Sequence, residues 1–258
     1  MISAIHLGSV DYRTALRLQQ NLVEARKSGT IGDVLLFVEH PPVITLGRNA
    51  RKENVLFSSD ELEHKGVEVF ECDRGGDVTF HGPGQLVAYP IFDLHGFRSK
   101  QGKSLGAIEF VRRLEEVLIR TCAVFAISAE RVPPLTGVWT RERGDKPQAK
   151  IAAIGVHISR GVTSHGFALN VNTDLAYFNL IVPCGITSKP VTSMEKESGR
   201  KLDFQQVMVA AGRSFAEVFE TAVEFVDSLA ELGRKEGVPM RRPAEFERLH
   251  QEEESFWA

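Results

Sequence analysis

The chain has 258 residues, 43% of them hydrophobic and 25% charged, a composition that supports a sizeable core and excludes long disorder or a fibrous fold. Its formal net charge of -3 excludes the strongly basic balance with which proteins neutralise a nucleic-acid backbone, so no nucleic-acid partner is expected. Three cysteines, Cys72, Cys122 and Cys184, are too few and too scattered for a disulfide framework or a CxxC zinc site, and are read as free thiols of a cytoplasmic protein.

The first residues, Met1 to Gly8, lack a basic segment ahead of an apolar run and do not read as a signal peptide. Apolar residues at Ala15, Leu18, Leu22 and Ala25 mark one face of a helix between Asp11 and Ser28. Val34 to Glu39, Val43 to Leu46 and Val67 to Glu71 are short runs rich in β-branched residues, punctuated by Pro41-Pro42 and Gly47, and read as strands. The run Val34 to Val38 is far short of the roughly 20 apolar residues that span a bilayer, and no membrane partner is expected. A strand follows from Leu86 to Asp93. Ser104 is expected to cap a second helix that turns Ile108, Val111, Leu118 and Cys122 to one face and leaves Arg113 and Glu116 outside. Ile151 to Ile158 and Phe167 to Val171 read as strands joined by a long, glycine-containing hairpin connection over Ser159 to Gly166. A third helix is predicted from about Phe204 to Phe225, with Val207, Ala211, Phe215 and Val218 inward, and the charged tail from Arg241 to Ala258 reads as a docking helix or a frayed end. No repeat or Pro/Gly/Ser-rich linker divides the chain. The expectation is therefore one α/β (α+β) domain, residues 1–258, with a mixed β-sheet, helices packed on it and a core ending near residue 225.

The densest group of unusual residues is Arg74-Gly75-Gly76-Asp77-Val78-Thr79-Phe80-His81-Gly82-Pro83-Gly84-Gln85. Four glycines in this stretch would weaken a core element, because each loses extra backbone entropy on folding. They suit either a wall along which a ligand approaches the main chain, with Arg74, Thr79, His81 and Gln85 supplying polar groups, or a pair of tight turns. Neither GxGxxG nor a GxxxxGK[ST] loop occurs, so nothing announces ATP or a dinucleotide. Cys184 lies between Pro183 and Gly185, at a constrained turn rather than inside a periodic apolar element as Cys122 does. This placement suits either a reactive thiol or a small residue filling a turn. Lys150 heads the apolar run Ile151 to Val156, either as a solvated strand end or as the partner of Cys184. A thiolate and an ammonium ~4 Å apart gain ~4 kcal/mol at an effective dielectric of about 20, before desolvation is subtracted, which is enough to draw a cysteine towards its thiolate; the alternative is a dry site that holds both neutral, with Lys150 as a base. His81, His157 and His165 have no metal-ligand spacing, so no metal is expected, and His81 or His165 is the alternative base for a Cys–His pair. Cys72 is read as packing.

Taken together, Arg74-Gly75-Gly76, Thr79 to Leu86, Lys150 to Val156, His165 to Val171 and Pro183-Cys184-Gly185-Ile186 resemble the lipoyl(octanoyl) transferase family, the octanoyl-[acyl carrier protein]:protein N-octanoyltransferases. The resemblance covers about 115 residues in order. It implies a fold like the catalytic domain of biotin and lipoate protein ligases, a catalytic Cys184/Lys150 dyad, and substrate contacts from Arg74 to His81, from Ala153 through Ile154 to Gly155, and from Gly166 through Phe167 to Ala168. The family usually has tyrosine at the position of Phe80, so a phenolic hydroxyl is missing here. The implied donor is acyl carrier protein bearing an octanoyl thioester, which needs neither ATP nor metal. The implied acceptors are lysines of lipoyl domains in 2-oxoacid dehydrogenase complexes and the glycine cleavage H protein. Carrier and acceptor domains tend to be acidic, which nominates Arg51, Lys52, Arg112 and Arg113 as docking residues. The rival enzyme is an ATP-dependent lipoate or biotin ligase, which has no use for a cysteine nucleophile. The rival outside enzymology is an acyl-chain or carrier-binding module.

Overall fold

A computed structural model describes residues 1–99, 102–144, 146–183 and 189–232. Cys184 and the tail from Arg241 lie outside these residues. Eight strands form one mixed sheet: β1 (Ile2–Ser9), β2 (Asp33–Glu39), β6 (Gln85–Ile91), β7 (Ala129–Glu130), β8 (Val138–Thr140), β9 (Lys150–Ser159), β10 (Val162–Asn170) and β11 (Val223–Phe225), in the order β11-β1-β2-β6-β10-β9-β8-β7. β1 is parallel to β11 and β2, and the other pairings are antiparallel. Three further strands, β3 (Val43–Leu46), β4 (Glu68–Glu71) and β5 (Val78–His81), make a small sheet in the order β4-β3-β5.

The large sheet is covered on both faces, which is why β2 reads as an unbroken apolar run rather than an alternating one. Leu35 and Phe37 point into a core shared with helices α3 (Ala107–Val124) and α5 (Phe204–Phe219), whereas Val34, Leu36 and Val38 pack with Leu18 and Leu22 of helix α1 (Tyr12–Lys27). Helix α1 starts at Asp11, whose carboxylate accepts from Thr14 N at 2.9 Å, and ends with Arg26 and Lys27 in its last turn, where cations suit the helix dipole. Helix α2 (Ser59–His64) has a full capping box between Ser58 and Glu61, and α4 (Met194–Ser198) is a single short turn closed by Gly199 at φ 73°.

Four expectations change. The second helix starts at Ala107 with Gly106, not Ser104, at its N-cap, and its buried stripe is Phe110, Leu114, Val117, Leu118 and Cys122; Ile108 is 80% exposed. The third helix ends at Phe219, where Glu220 turns left-handed at φ 52°, and Val223–Phe225 leaves to pair with β1. The β9–β10 connection is only the two-residue turn Arg160-Gly161, both at positive φ, which matches the twist of the flanking strands. Val78 to His81 is a strand rather than part of a loop, and β1 is a strand with no sequence counterpart above.

Candidate active site

Helix α1 covers only part of its sheet face. Beyond its first residue, Tyr12, the small sheet takes over the cover, and a cavity of about 40 Å³ lies between the two sheets. The glycine-rich segment, β9 and β10 all meet there: Arg74, Gly76, Asp77, Thr79, His81, Ala153, Ile154, Gly155, Gly166, Phe167 and Ala168 line it, with Tyr12, Val87, Tyr89 and His165. Two glycines make this meeting possible. A Cβ on Gly155 would lie 2.6 Å from the Gly75 carbonyl, and one on Gly166 would lie 2.1 Å from the Ala88 carbonyl and 2.6 Å from Pro90 Cδ. The main chain of Gly75 crosses β9 at that close approach, donating to the Val156 carbonyl at 3.0 Å.

Strand alternation sorts the remaining candidates. Thr79 and His81 face the cavity, whereas Val78 and Phe80 are fully buried on the other side of β5 with Leu180 and Ile181. Phe80 stacks on Tyr177 at 4.8 Å, so the position that is usually tyrosine points away from the cavity. Gly75 also stays behind the wall. Asp77 fixes the loop, its carboxylate accepting from the main-chain N–H groups of Val78 and Arg51 and from the Asn54 amide.

Hydrogen bonds determine the protonation of the cavity's histidines. The Gln85 amide donates to the Phe80 carbonyl and to Asn170 Oδ1, which leaves its oxygen to accept from His81 Nδ1 at 2.8 Å. His81 therefore carries its proton on Nδ1 and presents a lone pair on Nε2, 3.5 Å from the Thr45 hydroxyl. Burial, reinforced by the nearby His40, holds the His81 pKa down at about 3, so the ring is neutral. His40 behaves alike: Nδ1 donates to the Val10 carbonyl at 2.6 Å, Nε2 accepts from the Tyr89 hydroxyl at 2.7 Å, and burial lowers it to about 4. Burial also pushes the phenols of Tyr12 and Tyr89 upward. Arg74 is the cation of this wall. It is 7% exposed, and its guanidinium donates to neutral oxygens: Thr45 Oγ1, the Thr45 carbonyl and the Gly75 carbonyl. An ammonium or guanidinium so placed favours a ligand oxygen in the cavity.

At the rim, His165 Nε2 donates to Asp73 at 2.7 Å, which holds that carboxylate down at about 2, and His157 approaches the same carboxylate at 3.6 Å. His165 has a φ of 54° and sits where Pro90 offers β10 no N–H; its own N–H turns to Gln19 Oε1 at 2.8 Å. Among the described residues no group of three or more His, Cys, Asp or Glu side chains is placed to hold a metal ion.

Lys150 lines a second, smaller cavity with Gln85, Ala152, Asn170, Phe178, Pro183 and Val191. Thr79, Ala153 and Ala168 wall both cavities, so the two adjoin. Lys150 is 8% exposed, a buried lysine rather than a solvated strand end. Its main chain is bracketed by residues beyond Cys184, with Lys150 N donating to the Pro190 carbonyl and Thr192 N donating to the Lys150 carbonyl. On the near side of Cys184, Val182 N donates to the Asn54 carbonyl, and Pro183 lines the lysine's cavity. Neither His81 nor His165 lines that smaller cavity. The other two thiols pack: Cys72 Sγ contacts the Leu46 carbonyl, and burial pushes Cys122 up to about 12. Arg112 pairs with Glu115 at 2.7 Å and Arg113 approaches Glu109 at 3.6 Å, whereas Arg51 and Lys52 are exposed. Tyr12, Thr45, His40 and Asp73 escaped sequence reasoning, since each sits in or beside an ordinary periodic element and only tertiary packing brings it to the cavity.

No helix among the described residues is long and apolar enough to cross a membrane. The chain is 56% identical over 254 residues to an octanoyltransferase of Koribacter versatilis, covering 98% of both chains. It is 54% identical to an octanoyltransferase of Acidobacterium capsulatum, covering 90% of this chain and 96% of that one. Its fold is similar to a bipartite lipoate protein ligase of Thermoplasma acidophilum, with TM-score 0.67 at 18% identity over 88% of this chain and 87% of that one. It is similar also to lipoate-protein ligase A bound with ATP, with TM-score 0.66 at 18% identity over 88% and 89%. The profile of the lipoyl protein ligase A/B catalytic domain matches residues 11–216, and the chain belongs to that family.

Proposed function

We propose that the protein is an octanoyltransferase that moves an octanoyl group onto a lysine of a lipoyl domain, in lipoate biosynthesis, through a thioester on Cys184. The octanoyl activity rests on relatives of that name at 56% and 54% identity. The observation that carries the mechanism is the shared cavity: Lys150 and Pro183, the residue covalently joined to Cys184, wall the same space, and that space adjoins the larger cavity at Thr79, Ala153 and Ala168. The donor in this proposal is octanoyl acyl carrier protein, and the acceptors are lipoyl domains of 2-oxoacid dehydrogenase complexes and the glycine cleavage H protein.

In the first step the Cys184 thiolate, paired with the Lys150 ammonium, attacks the carbonyl carbon of the donor thioester. The C–S bond to phosphopantetheine breaks, the released thiolate takes the proton of the Lys150 ammonium, and octanoyl-Cys184 remains beside a neutral Lys150. The apolar side chains Val87, Ile154 and Phe167 offer the octanoyl chain a dry wall, and the Arg74 guanidinium and Thr79 hydroxyl offer partners for oxygen. In the second step the ε-amine of the acceptor lysine attacks octanoyl-Cys184; Lys150, neutral after the first exchange, accepts the amine proton, and the Cys184 thiolate departs. No step consumes ATP or uses a metal. An ATP-dependent ligase of the same fold would form an acyl adenylate from free acid instead. Purified protein given octanoyl acyl carrier protein and apo lipoyl domain is expected to transfer octanoate without ATP and to leave free octanoate plus ATP unused. Strict dependence on ATP would overturn the proposal.

A further inference from the structure

Lys150 enters β9 opposite Trp139 of β8, and the register shifts by one residue between that pair and Val138–Ala152. A bulge of this kind re-aims the side chains beside it. The Lys150 Nζ lies 5.2 Å from the centre of the Trp139 ring, over its face. Trp139 is 0% exposed, and among the described residues its buried indole N–H has no hydrogen-bond partner. A phenylalanine would fill much of that space with no orphaned donor, so the N–H marks a cost that packing alone does not justify. What indole adds is the strongest cation-binding face among the aromatic side chains.

The backbone completes the seat. Gly137, at φ 123°, passes so close that a Cβ there would stand 3.0 Å from Lys150 Cε and 2.7 Å from the Ala152 carbonyl. Its N–H points to Glu115 Oε1 at 3.3 Å. Glu115 is 0% exposed in the middle of α3 and is held by Arg112 at 2.7 Å and by Arg131 at 3.0 Å. The segment from Arg131 to Gly137 is thus tied to α3 at both ends.

We infer that Trp139 and Gly137 are positioning residues that seat the Lys150 ammonium towards the thiol, with buried Glu115 anchoring the Gly137 ledge. The inference rests on Lys150 acting with Cys184. Removing a dry cation–π contact is worth about tenfold or somewhat more in the equilibrium that it biases. It would destabilise the Cys184 thiolate indirectly.

The test follows iodoacetamide alkylation of Cys184 across pH in the full-length protein, read at the Cys184 peptide by mass spectrometry, beside kcat and KM for octanoyl transfer. Lys150→Met is expected to move the reactivity profile to higher pH. Trp139→Leu is expected to move it the same way, lowering kcat about tenfold with KM little changed, while Trp139→Phe recovers part of the shift. Trp139→Leu in the Lys150→Met background is expected to add nothing. Trp139→Phe is the milder change should Trp139→Leu fail to fold, and Gly137→Ala, which places a Cβ at φ 123°, is expected to give the same directional shift. A Trp139→Leu or Gly137→Ala shift that persists without Lys150 overturns the positioning role, as does no shift in either when Lys150→Met does shift. An unmoved profile in Lys150→Met overturns the dyad itself, and the inference with it.

Discussion

In the larger cavity His81 is locked by its hydrogen bond and held by burial at about 3, with His40 beside it, 5.9 Å between ring centroids, held at about 4, whereas the adjoining smaller cavity seats a buried lysine against an indole face. The two cavities share walls at Thr79, Ala153 and Ala168 but divide the chemistry. A neutral, tautomer-locked His81 beside the Arg74 guanidinium suits recognition of an apolar chain and its carbonyl oxygen. A seated cation suits a step in which thiolate forms and departs. In the proposed reaction the motif residues near Arg74 and the motif residues near Lys150 serve separate ends.

The largest expected effect that tests this division comes from Gly166→Ala. Its Cβ would overlap the Ala88 carbonyl at 2.1 Å, a backbone atom that cannot move aside without disturbing β6. The variant is expected to lose roughly 1–3 kcal/mol of stability and to raise KM for the octanoyl donor, while the pH profile of Cys184 alkylation stays in place. Denaturant melts, donor titration and alkylation together check it, and a displaced alkylation profile would show that the two cavities are not separately built.

A smaller effect sharpens the claim that His40 and His81 are neutral. An imidazole in the unfolded chain binds its proton near ~6.5, whereas His40 and His81 refuse one until about 4 and about 3. Below pH ~6.5 the unfolded state therefore binds more protons than the folded state. Stability is full above that pH and drains as pH falls towards the folded values, with a slope of about 1.4 kcal/mol per pH unit for each histidine. Thermal melting of His81→Asn is expected to show a shallower loss between pH 6 and 4 than the parent chain. Parallel curves would contradict a neutral His81.

Much of the larger cavity was legible in the glycine cluster after Arg74 and in the motifs that carry the resemblance. Gly75, Gly155 and Gly166 stand where one backbone approaches another, and their motifs, some eighty residues apart in sequence, meet at this cavity. The side that each residue faces was less legible. The glycines flanking Val78 to His81 hid a two-residue alternation, so Val78 and Phe80 were grouped with Thr79 and His81, although they face a different core. In α3 the helical period is satisfied by two stripes, and only packing against α5 selects Phe110 over the exposed Ile108. The Trp139–Lys150 pairing is set by strand register across a bulge, and the Glu115 anchor by a helix twenty-two residues away in sequence from Gly137; no local pattern announces either. Cys184 was singled out by its position between Pro183 and Gly185 and by motif company, and its neighbour Pro183 stands beside Lys150.

The central claim is that octanoate rests on Cys184 as a thioester between donor and acceptor. The most direct measurement is the intact mass of the protein after brief mixing with octanoyl acyl carrier protein, with no ATP and no acceptor. The account predicts a single octanoyl adduct that is released by hydroxylamine, maps to the Cys184 peptide and is absent from Cys184→Ala. Equal labelling of Cys184→Ala, or octanoyl transfer at the parent rate by that variant, would contradict it.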